Sequence, residues 1–245
     1  MRDHNKAFCR LVAENLDCPD PVFEFGSYQV EGQEGYANLR EVFAGKTYVG
    51  CDMRAGPGVD RVEDVTAISL PDGSAGTVLC IETFEHVFEV QRAFAEVFRL
   101  LKPGGVFVIT TPLNFRIHGY PDDYWRITPS CLRRMLSPYA ARVSGYQGYQ
   151  AFPHTVMGVG IKAPAGDAVA RLETLVGAYD SWLDRTEASL PLEDKLRRRL
   201  SRLYRSKGER RAIADYYKAD FTIDPGEGFA TRSRPGIPIQ TAAAR

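Results

Sequence analysis

TVLCIETFEHVFEVQRAFAEVFRLLKPGGVFVIT, residues 77–110, reads as strand, helix, strand. Thr77-Val-Leu-Cys-Ile81 is a short apolar run without alternation. Residues 88–101 then place Phe88, Phe94, Val97, Phe98 and Leu101 at helical spacing. Lys102-Pro-Gly-Gly105 stops that helix, because proline cannot continue it and glycine allows the left-handed turn that follows. Val106-Phe-Val-Ile-Thr110 is apolar again. Strands apolar at every position are buried on both faces, as in a parallel sheet covered by helices. Working outward, Val22–Phe25, Tyr48–Cys51 and a weaker run at 60–65 predict three earlier strands. Helices are predicted at 6–16, at 36–43 with Gly45 closing it, and at 129–137, and further strands at 142–149 and 155–162. Two C-terminal helices, 166–189 and 191–219, and a Pro/Gly/Thr/Arg-rich tail complete the chain. Right-handed crossovers make this a doubly wound α/β fold. The expected units are 1–163, a helical extension at 164–222, and a flexible tail at 223–245.

The 245 residues carry 31 basic and 31 acidic side chains, so net charge does not suggest DNA binding. No apolar run approaches the roughly 18 residues of a membrane span, and the charged N-terminus lacks a signal core. The five cysteines form no C-x-x-C pair and read as reduced thiols of a cytoplasmic protein. The four histidines, His4, His86, His118 and His154, show no metal-ligand spacing, so no metal is predicted.

Ligands of open α/β sheets bind at the carboxyl ends of strands. Glu24 and Gly26 stand at the first such end, Asp52 at the second and Asp64 at the third. Asp52 is placed to accept ribose hydroxyls, and Asp64 to accept an adenine amine beside Val65. The G-x-G-x-x-G phosphate loop is missing, which disfavours a nicotinamide oxidoreductase. Each acid also has a plain surface reading, and Gly26 a plain turn reading.

Glu24-Phe-Gly26-Ser27, Val49-Gly-Cys-Asp52, Leu70-Pro-Asp-Gly73, Glu85-His86-Val87 and Leu101-Lys-Pro-Gly-Gly105 together resemble the class I S-adenosylmethionine-dependent methyltransferases. The likeness covers about residues 20–140 and is to the branch that methylates sugars and other small molecules. It implies a Rossmann-like methyltransferase fold, a mostly parallel seven-stranded sheet with a C-terminal helical extension, and S-adenosyl-L-methionine as cofactor. It assigns Glu24, Gly26 and Ser27 to the methionine part, Asp52 and Met53 to the ribose, and Asp64 and Val65 to the adenine. Glu82 to His86 would run beside the sulfonium and the substrate. Ser27-Tyr28-Gln29 departs from the family's alternate glycines: Tyr28 either covers the cofactor or fills its groove, which would leave a non-catalytic binding module.

His86 and His118 are the candidate bases, because a neutral imidazole takes a proton near pH 7. A helix-start role bonding a backbone carbonyl is the competing reading for His86. His118-Gly-Tyr-Pro-Asp-Asp-Tyr-Trp-Arg-Ile-Thr128 follows the fifth strand, at the substrate rim. Tyr120, Tyr124, His118, Asp123 and Arg126 are its substrate candidates, Asp123 and Arg126 mainly as a brace. The acceptor predicted is a sugar, a nucleotide-linked sugar or a natural-product hydroxyl or amine. Residues 192–211 carry nine basic and three acidic side chains along a helix with Leu192, Leu196, Leu200 and Leu203 on one face. They read as a solvated helix docked on the core or on a second subunit of a homodimer, or as a surface for an anionic partner.

Overall fold

The apolar run at Ala75–Ile81 becomes the centre of the sheet, buried at all seven positions. In the computed structural model, which describes residues 3–226 apart from 33, 34, 36, 120, 164, 165 and 202–204, this strand is β4. Before it come α1 (Asp3–Asn15), β1 (Val22–Phe25), β2 (Tyr48–Asp52) and β3 (Arg61–Val62). After it come a 3-10 turn (Phe84–His86), α2 (Val90–Leu100), β5 (Leu101–Pro112), α3 (Pro129–Met135), β6 (Ala141–Tyr149) and β7 (Phe152–Ile161). The chain continues through α4 (Ala168–Ser189), α5 (Leu192–Ser201), α6 (Lys207–Ala214) and β8 (Ala219–Asp224). The sheet order is β3-β2-β1-β4-β5-β7-β6-β8. β1 to β5 pair in parallel, and β6, β7 and β8 join antiparallel.

Side-chain alternation splits the core into two layers. Leu79, Val106 and Val108 face α1 and α4, where Phe8, Leu172 and Tyr179 are buried. Val78, Cys80, Phe107 and Ile109 face α2 and α3, where Phe94, Val97 and Leu132 are buried. Lys102–Gly105 bulges out of the ladder, because β4 pairing passes from Ala75–Leu101 to Thr77–Val106. Gly104 supplies the positive φ of +74° that this turn needs.

Several expectations change. Among the described residues the sheet has eight strands, not seven, and the helix expected at 191–219 is α5, α6 and β8. Ser206 starts α6 with a reciprocal cap to Glu209, which breaks the longer helix. β8 alternates Phe221 and Ile223, packed on the α1/α4 layer, with polar residues, a strand period hidden by the helical run before it. Ile223 and Asp224 therefore belong to the sheet and not to the tail, and Arg133 holds the buried Asp224 carboxylate with two bonds of 2.8 Å. The rest of the tail, from 227, lies outside the described residues, as do Arg202 and Leu203. Leu192, Leu196 and Leu200 are exposed instead of packed. Residues 37–46 form turns, not a helix. There Asn38 Oδ1 accepts from the Arg40 amide at 3.0 Å, a side-chain bond that competes with helical ones. Phe88 precedes α2 and is 68% exposed, so it is not on that helix's buried face.

Candidate active site

Register brings three strand ends level. Phe25 pairs with both Cys51 and Cys80, so Gly26, Asp52 and Ile81-Glu82 emerge side by side. They open onto a cavity of about 810 Å³. All nine residues predicted for the cofactor line it: Glu24, Gly26, Ser27, Tyr28, Asp52, Met53, Asp64, Val65 and Glu82. His86, His118 and Tyr124 line it as well, with Phe88, Phe115 and Arg116. Asp123 and Arg126 stand behind this wall, and Tyr120 lies outside the described residues.

The loop after β1 differs from a phosphate cradle. Gly26 and Ser27 both donate their amides to the Cys51 carbonyl, at 2.9 and 3.0 Å, so neither is free for a ligand. A Cβ on Gly26 would land on the Thr83 side chain, and φ is +86°. Thr83 is itself held, its hydroxyl donating to the Phe25 carbonyl at 3.0 Å. Gly26→Ala is therefore expected to lose about 2 kcal/mol or more of stability in urea unfolding. The Tyr28 ring rests on Gly56 with the Arg54 guanidinium 4.8 Å from its centroid, on the β2–β3 side of the cavity. It is a wall of the cleft, and the space stays open.

Glu24 is buried at the foot of the cleft and accepts from the Tyr48 hydroxyl at 2.6 Å. Burial pushes its carboxyl up to about 7, against the opposing pull of that bond and of Arg40. A raised carboxyl binds its proton in the folded state over a range where the unfolded chain has lost it. Its contribution to stability therefore falls as pH rises from about 4.5 to about 7. Glu24→Gln should remove about 3 kcal/mol of that decline, read as unfolding free energy against pH for both proteins.

Asp52 Oδ1 accepts from the Arg54 amide at 3.1 Å, and among the described residues Oδ2 makes no hydrogen bond. Asp64 lies two residues past β3, which ends at Val62; its Oδ1 holds the Thr66 amide and hydroxyl at 2.8 and 2.7 Å. Glu82 is the one non-glycine residue with positive φ among those described, at 52°, and its Oε1 is buried without a partner. Such strain gathers at ligand sites.

At the other end, His86 and His118 meet edge to face, ring centroids 4.8 Å apart. His86 Nδ1 donates to the Asp122 carbonyl at 2.6 Å, the carbonyl bond of the competing reading. His118 Nδ1 donates to Asp123 Oδ2 at 3.1 Å. Burial lowers the His86 proton affinity. Asp123 is pinned by Arg126, whose Nη2 lies 2.7 Å from Oδ2, and by the His118 amide at 2.9 Å; the Arg126 bonds hold its carboxyl well below the usual range. Glu85 lies within the Glu82 to His86 segment that the resemblance assigns to the site, but was not singled out among the site residues. Its side chain is fully buried with neither oxygen hydrogen-bonded, and burial pushes its carboxyl far up. Glu63, also buried at the cavity wall, was missed; Ser69 and Arg61 satisfy it. Glu85 had its motif as a signal; Glu63 had none, because burial of a single charge has no period.

Among known proteins, residues 35–109 match the methyltransferase domain family. A probable S-adenosylmethionine-dependent methyltransferase of Mycolicibacterium smegmatis is 39% identical over 57 residues, 23% of this chain and 22% of that protein. The chain thus matches under a quarter of that relative's length. Among solved structures, an Archaeoglobus fulgidus SAM-dependent methyltransferase is 14% identical with a TM-score of 0.49, covering 64% of this chain and 92% of that one. The Burkholderia thailandensis 1,6-didemethyltoxoflavin-N1-methyltransferase, solved with that substrate and S-adenosylhomocysteine, is 16% identical with a TM-score of 0.49, covering 65% and 78%. The matched residues run from before β2 into β5, within the Rossmann-like half of the sheet.

Proposed function

We propose that this chain is an S-adenosylmethionine-dependent methyltransferase acting on a small polar acceptor, a hydroxyl or amine of a sugar or natural product. The observation that carries the reading is one cavity lined both by acids at or near the carboxyl ends of four strands, Glu24, Asp52, Asp64 and Glu82, and by two imidazoles, His86 and His118. The residues fit the cofactor. Asp52 offers a carboxylate oxygen for ribose hydroxyls, Val65 an apolar wall beside Asp64, and Glu82 and Glu24 acidic groups suited to a cationic ligand. The cofactor would supply an activated methyl on a sulfonium, so alignment and exclusion of water lower much of the barrier.

The chain's own work is at the acceptor. A backbone carbonyl accepts from His86 Nδ1 and an ionised carboxylate from His118 Nδ1, so both rings carry their proton there. That leaves each Nε2 able to take a proton from an acceptor hydroxyl or amine. Tyr124, Phe88 and Phe115 supply ring faces at the mouth for a cyclic acceptor. Asp123 and Arg126 set the His118 tautomer and do not reach the cavity. A non-catalytic module would need Tyr28 in the groove, and its ring lies on Gly56 instead.

Calorimetric titration with S-adenosylhomocysteine tests the reading: one site per chain with micromolar affinity is expected. A folded sample that gives no heat with either this product or the methyl donor overturns it.

A further inference from the structure

We propose that Glu85, His86 and His118 form a binding site for one divalent ion of the zinc class, at the acceptor end of the cavity. One ligand atom of each of the three lies within 4.8 Å of the others. His86 Nε2 is 3.8 Å from Glu85 Oε1, too long for a hydrogen bond and close enough for a shared ion after small rotations. Two imidazoles and a carboxylate with an open position are the donor set of catalytic zinc and related first-row metals.

Two independent features point to an ion and not to a chance cluster. The first is what holds the far nitrogen of each ring. Metal-bound histidines hold their remote N–H against a carbonyl or carboxylate, and both rings do so here, one on the Asp122 carbonyl and one on Asp123 Oδ2. The second is Glu85. A fully buried carboxyl with neither oxygen hydrogen-bonded is an expensive arrangement that a cation resolves. The neighbouring carboxylates are already engaged: Asp122 by the Tyr124 hydroxyl at 2.9 Å, and Asp123 by Arg126. They complete the shell around the ligands and do not compete as ligands. Sequence spacing hid the site, because His86 and His118 are far apart along the chain and meet only when the loop after β5 folds back over the 3-10 turn.

The ion site stands on its own ligands; it rests on the proposed function only in placing the acceptor beside it. There an ion held by the two Nε2 atoms would replace them as the means of removing the acceptor's proton, orienting a hydroxyl acceptor and acidifying it. The test uses the full chain, stripped with chelator and titrated with zinc chloride by calorimetry. Cobalt chloride titrated by absorbance reads the ligand field. One ion per chain is expected, with a cobalt band lacking thiolate charge transfer. Glu85→Gln, His86→Ala and His118→Ala should each weaken zinc binding at least about tenfold, while Cys131→Ser, at the exposed thiol, leaves it unchanged. If Glu85→Gln unfolds, the two histidine variants decide, since both side chains reach solvent. No saturable binding, or binding indifferent to the histidine variants, overturns the site. S-adenosylhomocysteine titrated into the same samples separates the two ideas. Zinc without the nucleoside product sinks only the proposed function, and the nucleoside product without zinc sinks only the ion.

Discussion

Asp52→Ala is expected to weaken S-adenosylhomocysteine binding by about 30- to 100-fold, roughly 2–2.7 kcal/mol, the worth of hydrogen bonds to a charged acceptor. The carboxylate sits at the end of β2, only 12% of its side chain exposed, with Oδ2 uncommitted among the described residues. Its structural bond is local, to the Arg54 amide two residues on. The fold should therefore survive the substitution, and the thermal midpoint should stay within a few degrees. Asp64→Ala makes the contrast. That side chain is exposed and already holds Thr66, so its loss should weaken binding less, about tenfold at most. Titration calorimetry on the two variants reads both effects. Equal affinity in Asp52→Ala and the parent protein would show that the ligand does not lie along β2.

The second large effect belongs to Asp123. Its side chain is 2% exposed and takes both terminal nitrogens of Arg126, together with the amide and ring of His118. Asp123→Asn keeps the shape and removes the charge, leaving a three-quarters buried guanidinium without its counter-ion. A loss of about 3 kcal/mol is expected at pH 7, since breaking one partner of a buried pair strands the other. The sign of the pH dependence follows from the lowered carboxyl. Its stabilisation is complete above the ordinary value of 3.8 and fades as pH falls through the lower folded-state value. The gap between parent and variant in urea unfolding should therefore be widest near neutrality and shrink below about pH 4. Turnover should fall further than stability, because an amide at this position no longer fixes the His118 tautomer. Unchanged turnover in a stable Asp123→Asn would remove His118 from the proposed chemistry.

The residues show which parts of this molecule were local matters. The strands at 22–25, 48–51 and 77–81 were legible because strands covered by helices are mostly apolar runs, even though β1 carries Glu24 and β2 is only partly buried. The strand-end acids were legible because a parallel sheet exposes its carboxyl ends on one side, so position along each strand is position in the site. β8 was not: six residues of alternation after a long helical run look like the end of that run until Arg133 and β6 are there to receive them. Nor was the turn at 37–46, where side-chain bonds to the backbone outweigh helical propensity.

The chain by itself determined a doubly wound α/β sheet and the acids at its carboxyl edge, since hydrophobic period and strand order are properties of neighbouring residues. Only the tertiary structure decided that Tyr28 leans away onto Gly56, that Asp123 serves His118, and that Glu85, His86 and His118 converge. Those contacts join residues distant in sequence, and their energies depend on burial and separation, which no local pattern of side chains encodes.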